Sequence, residues 1–222
     1  MKPGTLHNVI RHIFWDWNGT LTDDAALIYE AVNAAMTAIG HPHVSAERLR
    51  ARFARPLSAL FGRLTDERCR DKWPAWHAAF IAAAHSETQP VLTADALAAL
   101  QRWHAADRTQ SVLSRWPADD LPARVAATAL LPYLDGIRGA SWPEEPKEDM
   151  LRQELVLRKL DPAQALLIGD TDDDAAAARA VGAAVILCDA HSFAPIGDET
   201  RERWRVPRAQ SLRAAVDLAL AM

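Results

Sequence analysis

Residues 10–21 read IRHIFWDWNGTL, and the fold turns on how this stretch is read. Val9–Trp15 is apolar apart from Arg11 and His12, and polar residues and Gly19 follow at once. That is the pattern of a buried strand stopping in a loop. Asp16 stands where the strand stops, at the edge of the core, where a carboxylate needs compensation for lost hydration. Taken alone, it reads first as a turn or capping aspartate, since Asn18-Gly19 suits a turn.

Downstream of this strand the period changes. From Asp24 onward, Leu27, Ile28, Ala31, Val32, Ala35, Met36 and Ile39 recur at helical spacing, and Gly40 ends the run. Further helical pieces fill residues 46–89, broken near Pro56, Pro74 and Pro90. Several consecutive helices between two strand signals predict an inserted all-helical domain rather than a single crossover helix.

Beyond residue 95 helices and strands alternate. Helices are expected at Ala96–His104, Asp119–Leu130, Lys147–Leu160 and Asp173–Val181. Strands are expected at Thr109–Leu113, Gly136–Ala140, Ala165–Ile168 and Ala183–Leu187. The alternation predicts an α/β fold with an open parallel sheet. Residues 190–208 show no periodicity and read as a surface loop, and Ala209–Ala221 as a closing amphipathic helix. The expected division is an α/β core from residues 1–21 and 94–222, and a helical domain from 22–93.

Composition narrows the function classes. A chain of 222 residues, 50% hydrophobic, buries a core large enough for one domain carrying a smaller inserted one. With 25 basic and 29 acidic residues, the net charge of -4 gives no general attraction to nucleic acid or an anionic membrane. Residues 47–72 are locally basic, which reads first as a solvated helical face. Cys69 and Cys188 suggest neither a disulfide framework nor a zinc cluster. The N-terminal stretch lacks a signal-peptide core, and Val181–Cys188 is too short to cross a bilayer. A soluble cytoplasmic protein, monomer or homodimer, is the expectation. The eight Trp residues are expected mostly in packing.

Four segments share one placement, each beginning where an apolar strand stops: Asp16–Thr20, Ser114, the region of Lys147, and Gly169–Asp174. In a parallel sheet the strand C-termini line one rim, where such folds bind ligands. Asp16, Asp170 and Asp174 on one rim repel one another unless a cation neutralises them, and all-oxygen ligation suits Mg²⁺. The acidic residues at 170–174 read also as caps for the helix that follows. Lys147 taken singly is an ordinary surface lysine, and Ser114 an ordinary turn residue. A phosphoryl pocket nonetheless needs one such cation and hydroxyl to hold oxygens as charge shifts.

The strand followed by Asp16-Trp17-Asn18-Gly19-Thr20-Leu21 resembles motif I of the haloacid dehalogenase-like hydrolases, whose usual form is hhhhDxDGTL. Val112-Leu113-Ser114 is similar to motif II. Lys147, after Pro143-Glu144-Glu145-Pro146, is similar to motif III, and Leu166–Thr171 with Asp174 to motif IV. The four occur in the family's order over roughly Ile10 to Cys188. The resemblance implies a Rossmann-like core and an aspartyl-phosphate formed on Asp16. It implies Ser114 and Lys147 as further catalytic residues, and Mg²⁺ held by Asp16, the backbone carbonyl of Asn18, Asp170 and Asp174. Gly19 and Thr20 are expected beside the substrate. The insertion resembles the helical C1-type cap of the phosphoglycolate phosphatase-like branch, which closes over a small phosphorylated metabolite. Arg48, Arg52 and Arg55 lie at helical spacing there, and Arg55 is taken as the substrate contact.

Position 18 departs from the pattern. The family has a second Asp there, acting as general acid and base. An amide cannot exchange a proton at neutral pH. Losing acid–base help costs roughly 10²–10⁴-fold in rate. Two readings therefore stand: a magnesium-dependent phosphatase of small phosphomonoesters, or a catalytically weakened phosphate-binding or regulatory protein.

Overall fold

Three consecutive side chains of the first strand point alternately into two cores. The computed structural model describes residues 9–86, 89–142, 145–188 and 205–222. In strand β1 (His12–Trp15), Ile13 and Trp15 belong to one buried cluster and Phe14 to the other. This alternation, with both faces apolar, marks a central strand covered by helices on each side.

β1 pairs in parallel with β2 (Thr109–Pro117) on one side and with β4 (Ala165–Gly169) on the other. Adding β3 (Ile137–Ala140), β5 (Ala184–Cys188) and β6 (Arg208–Ala209), the sheet order is β3-β2-β1-β4-β5-β6, every pair parallel. Helices α5 (Ala96–His104) and α9 (Leu212–Leu220) contribute to the core on the Ile13/Trp15 face. Helices α7 (Lys147–Arg158) and α8 (Asp172–Val181) contribute to the core around Phe14. The expected α/β class with a Rossmann-like parallel sheet is the observed one.

Among the described residues between β1 and α5 lie the α-helices α1 (Ala25–Ala38), α2 (Ala46–Arg52), α3 (Leu57–Leu64) and α4 (Trp73–Ala84), with a short 3-10 helix at Glu67–Lys72. α1 and α4 pack on one another, and Trp76 stacks on Phe80 with ring centroids 5.4 Å apart. Pro74 begins α4 rather than breaking a helix, because the first turn needs no N–H from it.

Several boundaries differ from the sequence expectations. β2 runs past Ser114 to Pro117, with an irregularity in its pairing to β3 between Leu113 and Pro117. The expected helix at Asp119–Leu130 is confined to α6 (Leu121–Ala126). Arg208–Ala209 form an edge strand where loop and helix start were expected. Residues 190–204 of that expected loop lie outside the described residues. α2 ends at Arg52, so Arg55 does not continue the face of Arg48 and Arg52. Neither Cys69 nor Cys188 forms a disulfide, and both are buried. Among the described residues, no helix is long and apolar enough to cross a membrane. Trp15, Trp17, Trp76 and Trp103 are fully buried, whereas Trp142 is half exposed.

Candidate active site

The C-terminal ends of β1 and β4, the second half of β2 and the start of α7 deliver Asp16, Asp170, Ser114 and Lys147 to one cavity of about 70 Å³. All four side chains belong to buried residues. The N–H of Asp16 donates to the Ile168 carbonyl at 2.8 Å, extending the β1–β4 ladder one step beyond the strand. The carboxylate is thereby fixed at the rim.

Lys147 is the first residue of α7, where a positive charge opposes the helix dipole. Carboxylates offset that cost. Its Nζ lies 2.8 Å from Asp16 Oδ1 and is bonded also to Asp174 Oδ1. Burial works to lower the pKa of Lys147, but Asp16, Asp174 and Asp173 outweigh it and hold the ammonium charged. Burial pushes Asp16 up to about 6; Lys147 pulls against this and Asp174 adds to it. Asp174 goes the other way: burial raises it, yet Lys147 and Thr171 bring it below the ordinary carboxylate range.

Asp174 is occupied at both oxygens. Oδ2 accepts from Thr171 Oγ1 at 2.7 Å, from Thr171 N at 3.0 Å and from Asp170 N at 3.2 Å, closing the first turn of α8. The capping role and the rim role expected for this acidic run therefore coincide in one side chain. Asp170 accepts from Thr20 Oγ1 at 3.4 Å. Carboxylate oxygens of Asp16, Asp170 and Asp174 all lie within 4.8 Å of one another, an all-oxygen cluster whose donor chemistry fits a hard divalent cation. Close approach is built into the backbone here: at Gly19, φ is +73°, and a Cβ would meet Asp170 Oδ2 at 2.5 Å.

Ser114 Oγ accepts from the Trp116 N–H at 3.1 Å, which leaves its own proton to donate. Asn18 lines the cavity, its side-chain amide donating to Asp24 Oδ2. Gly19 lines it too, but its N–H is committed to Asp24 Oδ1 at 2.9 Å. Arg55 reaches the cavity from the loop after α2, whereas Arg48 donates to the Leu64 carbonyl at 3.2 Å.

Three groups were not anticipated. Asp24, at the start of α1, is buried, and burial raises its pKa, with Asn18, Arg55 and the Gly19 N–H opposing. Its place directly before the helical run was a visible signal, but of a cap. Its carboxylate turns back to the β1 loop and makes no cap bond. Arg115, beside Ser114, forms a two-point pair with Asp173 at 2.7 and 2.8 Å, joining the exit of β2 to α8. His85, just past α4, stacks on Trp116 at 4.9 Å and lies 3.5 Å from Asp120, which also holds Arg124 at 2.7 Å. Nothing local in the sequence marks the last two.

The model for the family described as haloacid dehalogenase-like hydrolase matches residues 13–188, which span β1 to β5. The chain belongs to the haloacid dehalogenase-like hydrolases. Solved structures agree in fold. A haloacid dehalogenase-like family protein from Streptococcus pneumoniae is 21% identical with TM-score 0.78, covering 94% of this chain and 98% of its own. A protein named a predicted phosphatase, from Clostridium acetobutylicum, is 18% identical with TM-score 0.83, covering 96% and 100%. One named a predicted phosphoglycolate phosphatase, from Haemophilus somnus, is 17% identical with TM-score 0.77, covering 94% and 97%. No curated protein matches this hydrolase significantly.

Proposed function

We propose that this hydrolase is a phosphatase that transfers a phosphoryl group from a phosphate ester to Asp16 and then to water. One observation carries the reading: Asp16, the Lys147 ammonium and the Ser114 hydroxyl converge on one small buried cavity. Lys147 neutralises the nucleophile and faces the phosphoryl oxygens as charge shifts onto them. Ser114 donates to the same group. Asp16 and Asp170, with the Asn18 carbonyl, would hold Mg²⁺, which when bound supplies countercharge to the phosphoryl oxygens. Asp174, occupied by Lys147 and Thr171, belongs to the metal's surroundings and to the lysine.

The helices between β1 and α5 act as the cap. Phe53, Arg55, Phe80 and Ile81 wall the cavity opposite the sheet rim, consistent with exclusion of bulk water and selection of the leaving group. A small phosphorylated metabolite and a cytoplasmic location fit this reading. The names of the structural relatives point the same way.

A second reading, a weakened phosphate-binding or regulatory protein, is favoured by one feature: the amide of Asn18 stands bonded to Asp24 where the family has an acid. Hydrolysis of acetyl phosphate, measured with and without Mg²⁺ and in Asp16→Asn, separates the two. A phosphatase turns over, loses activity on chelation, and loses it in the variant. A binder retains phosphate affinity with no turnover.

A further inference from the structure

The cavity at Asp16 is small, with room for about five waters, and it does not end there. Arg55, Leu57, Ile81, Arg115 and Pro117 form its outer wall and are also the inner wall of a second chamber of about 600 Å³. That volume lies within the range of roughly 300–1,000 Å³ typical of sites for sizeable organic ligands. Away from the cavity the chamber is lined by Pro56, His77, Ala118, Asp119, Ser141 and Trp142, and it opens to solvent. Its walls are mostly apolar or planar. Trp142 is 50% exposed, so about half of its surface is uncovered by protein. Arg55 and Arg115 line both spaces, Arg55 over the Phe53 ring and Arg115 held by Asp173, and the face of a guanidinium so held still attracts an aromatic ring.

The chemistry at position 18 bears independently on the same point. Asn18 gives no proton to a departing oxygen. An alkoxide must be protonated as it leaves, because its basicity is near that of hydroxide, whose conjugate acid has pKa about 15.7. A phenolic oxygen, of pKa about 10, departs as the free anion far more readily. Size, lining and missing acid thus select one class of leaving group.

We propose that the substrate is the phosphate monoester of a bulky aromatic hydroxyl compound, its ring seated in the chamber between Trp142 and the two arginines. The inference rests on the phosphatase reading above. In the step, an Asp16 oxygen forms a bond to phosphorus as the phosphorus–aryl oxygen bond breaks. The aryloxide leaves with that electron pair and takes its proton from solvent after release. Water then attacks phosphorus, giving inorganic phosphate and free Asp16, with its proton passing to solvent.

The test compares naphthyl phosphate, phosphoglycolate and acetyl phosphate on wild type, Ala118→Trp and Trp142→Ala. Ala118 is exposed on the chamber wall, so a bulky side chain there fills the chamber without disturbing the core. Wild type should favour naphthyl phosphate over phosphoglycolate by at least about tenfold in kcat/KM. Each variant should raise KM for naphthyl phosphate by about tenfold and leave acetyl phosphate within about twofold. Equal use of phosphoglycolate, or variants that affect naphthyl and acetyl phosphate alike or affect neither, would overturn the proposal. If acetyl phosphate is not hydrolysed at all, the phosphatase reading fails separately. The chamber is then judged by equilibrium binding of naphthyl phosphate. Binding about tenfold weaker in Ala118→Trp upholds it, and unchanged binding overturns it.

Discussion

Lys147 Nζ bridges Asp16, at 2.8 Å, and Asp174, so the candidate nucleophile and the cap of α8 share one cation. All three residues are buried. Removing the cation leaves two carboxylates facing each other without compensation. Lys147→Met is therefore expected to destabilise the fold by about 3–5 kcal/mol, the usual cost of breaking a buried pair. Turnover should fall by roughly 10²–10³-fold, as for loss of a fixed electrostatic partner. Urea midpoints and kcat on acetyl phosphate check the two effects separately. Unchanged stability would mean that the lysine is not integral to the core.

Asp16 offers a direct titration. In the metal-free protein its carboxyl is pushed up to about 6, chiefly by burial, with Lys147 opposing. Carbon-13 NMR of labelled aspartate should show one carboxyl titrating near that value. Lys147→Met should move it higher, since the opposing charge is gone. Mg²⁺ should move it lower, because a cation favours the carboxylate. An Asp16 resonance at the ordinary aspartate value would contradict the described burial.

His12 predicts the acid limb of stability. Its ring nitrogens lie 2.7 Å from Thr109 Oγ1 and 2.8 Å from Ser111 Oγ, linking β1 to β2. Burial, with help from Arg158, brings its pKa down from 6.5 to about 3. The unfolded chain binds this proton more readily than the folded one. The contribution is therefore full above pH 6.5 and declines as pH falls toward 3. Between pH 7 and pH 5 the urea midpoint should drop by roughly 2 kcal/mol equivalent. In His12→Asn that part of the drop should vanish, though the variant starts less stable. An identical pH slope in both proteins would rule His12 out.

Asn18→Asp places a carboxylate against Asp24, whose pKa is already raised by burial. Two acids so close cannot both ionise easily, and one of them retains a proton. That is the state a general acid requires. Alkyl phosphates should accelerate most, by up to roughly 10²–10⁴-fold. Aryl and acyl phosphates should gain less, since their departure needs no proton. A Brønsted plot of kcat/KM against leaving-group pKa checks this, steep for wild type and flatter for the variant. Equal gains for all substrates would place the deficit in water activation.

The parts of this molecule legible in its sequence are those fixed by strand register. β1 and β4 pair in parallel from His12 with Ala165 to Trp15 with Ile168, so Asp16 and Gly169–Asp170 reach the rim together although some 150 residues apart. A strand followed at once by a carboxylate states that geometry locally. Asp24 was legible only as a helix start, because its bond to Asn18 depends on how the loop folds back. Arg115 and Asp173 meet through tertiary placement, as do His85 and Trp116, with no spacing rule to join them. The two-residue β6 carries too few side chains to show alternation. Arg55 reaches the cavity for a reason the helical spacing did not contain: α2 ends three residues before it.

The account stands most directly on Asp16 as the nucleophile. Wild-type protein mixed with Mg²⁺ and an aryl phosphate, quenched in acid and mapped by peptide mass spectrometry, reads this out. The expected result is one phosphoryl group on the peptide containing Asp16, present during turnover and absent from Asp16→Asn, which also lacks activity. Sustained turnover with no phosphorylated Asp16, and a wild-type rate in Asp16→Asn, would contradict it.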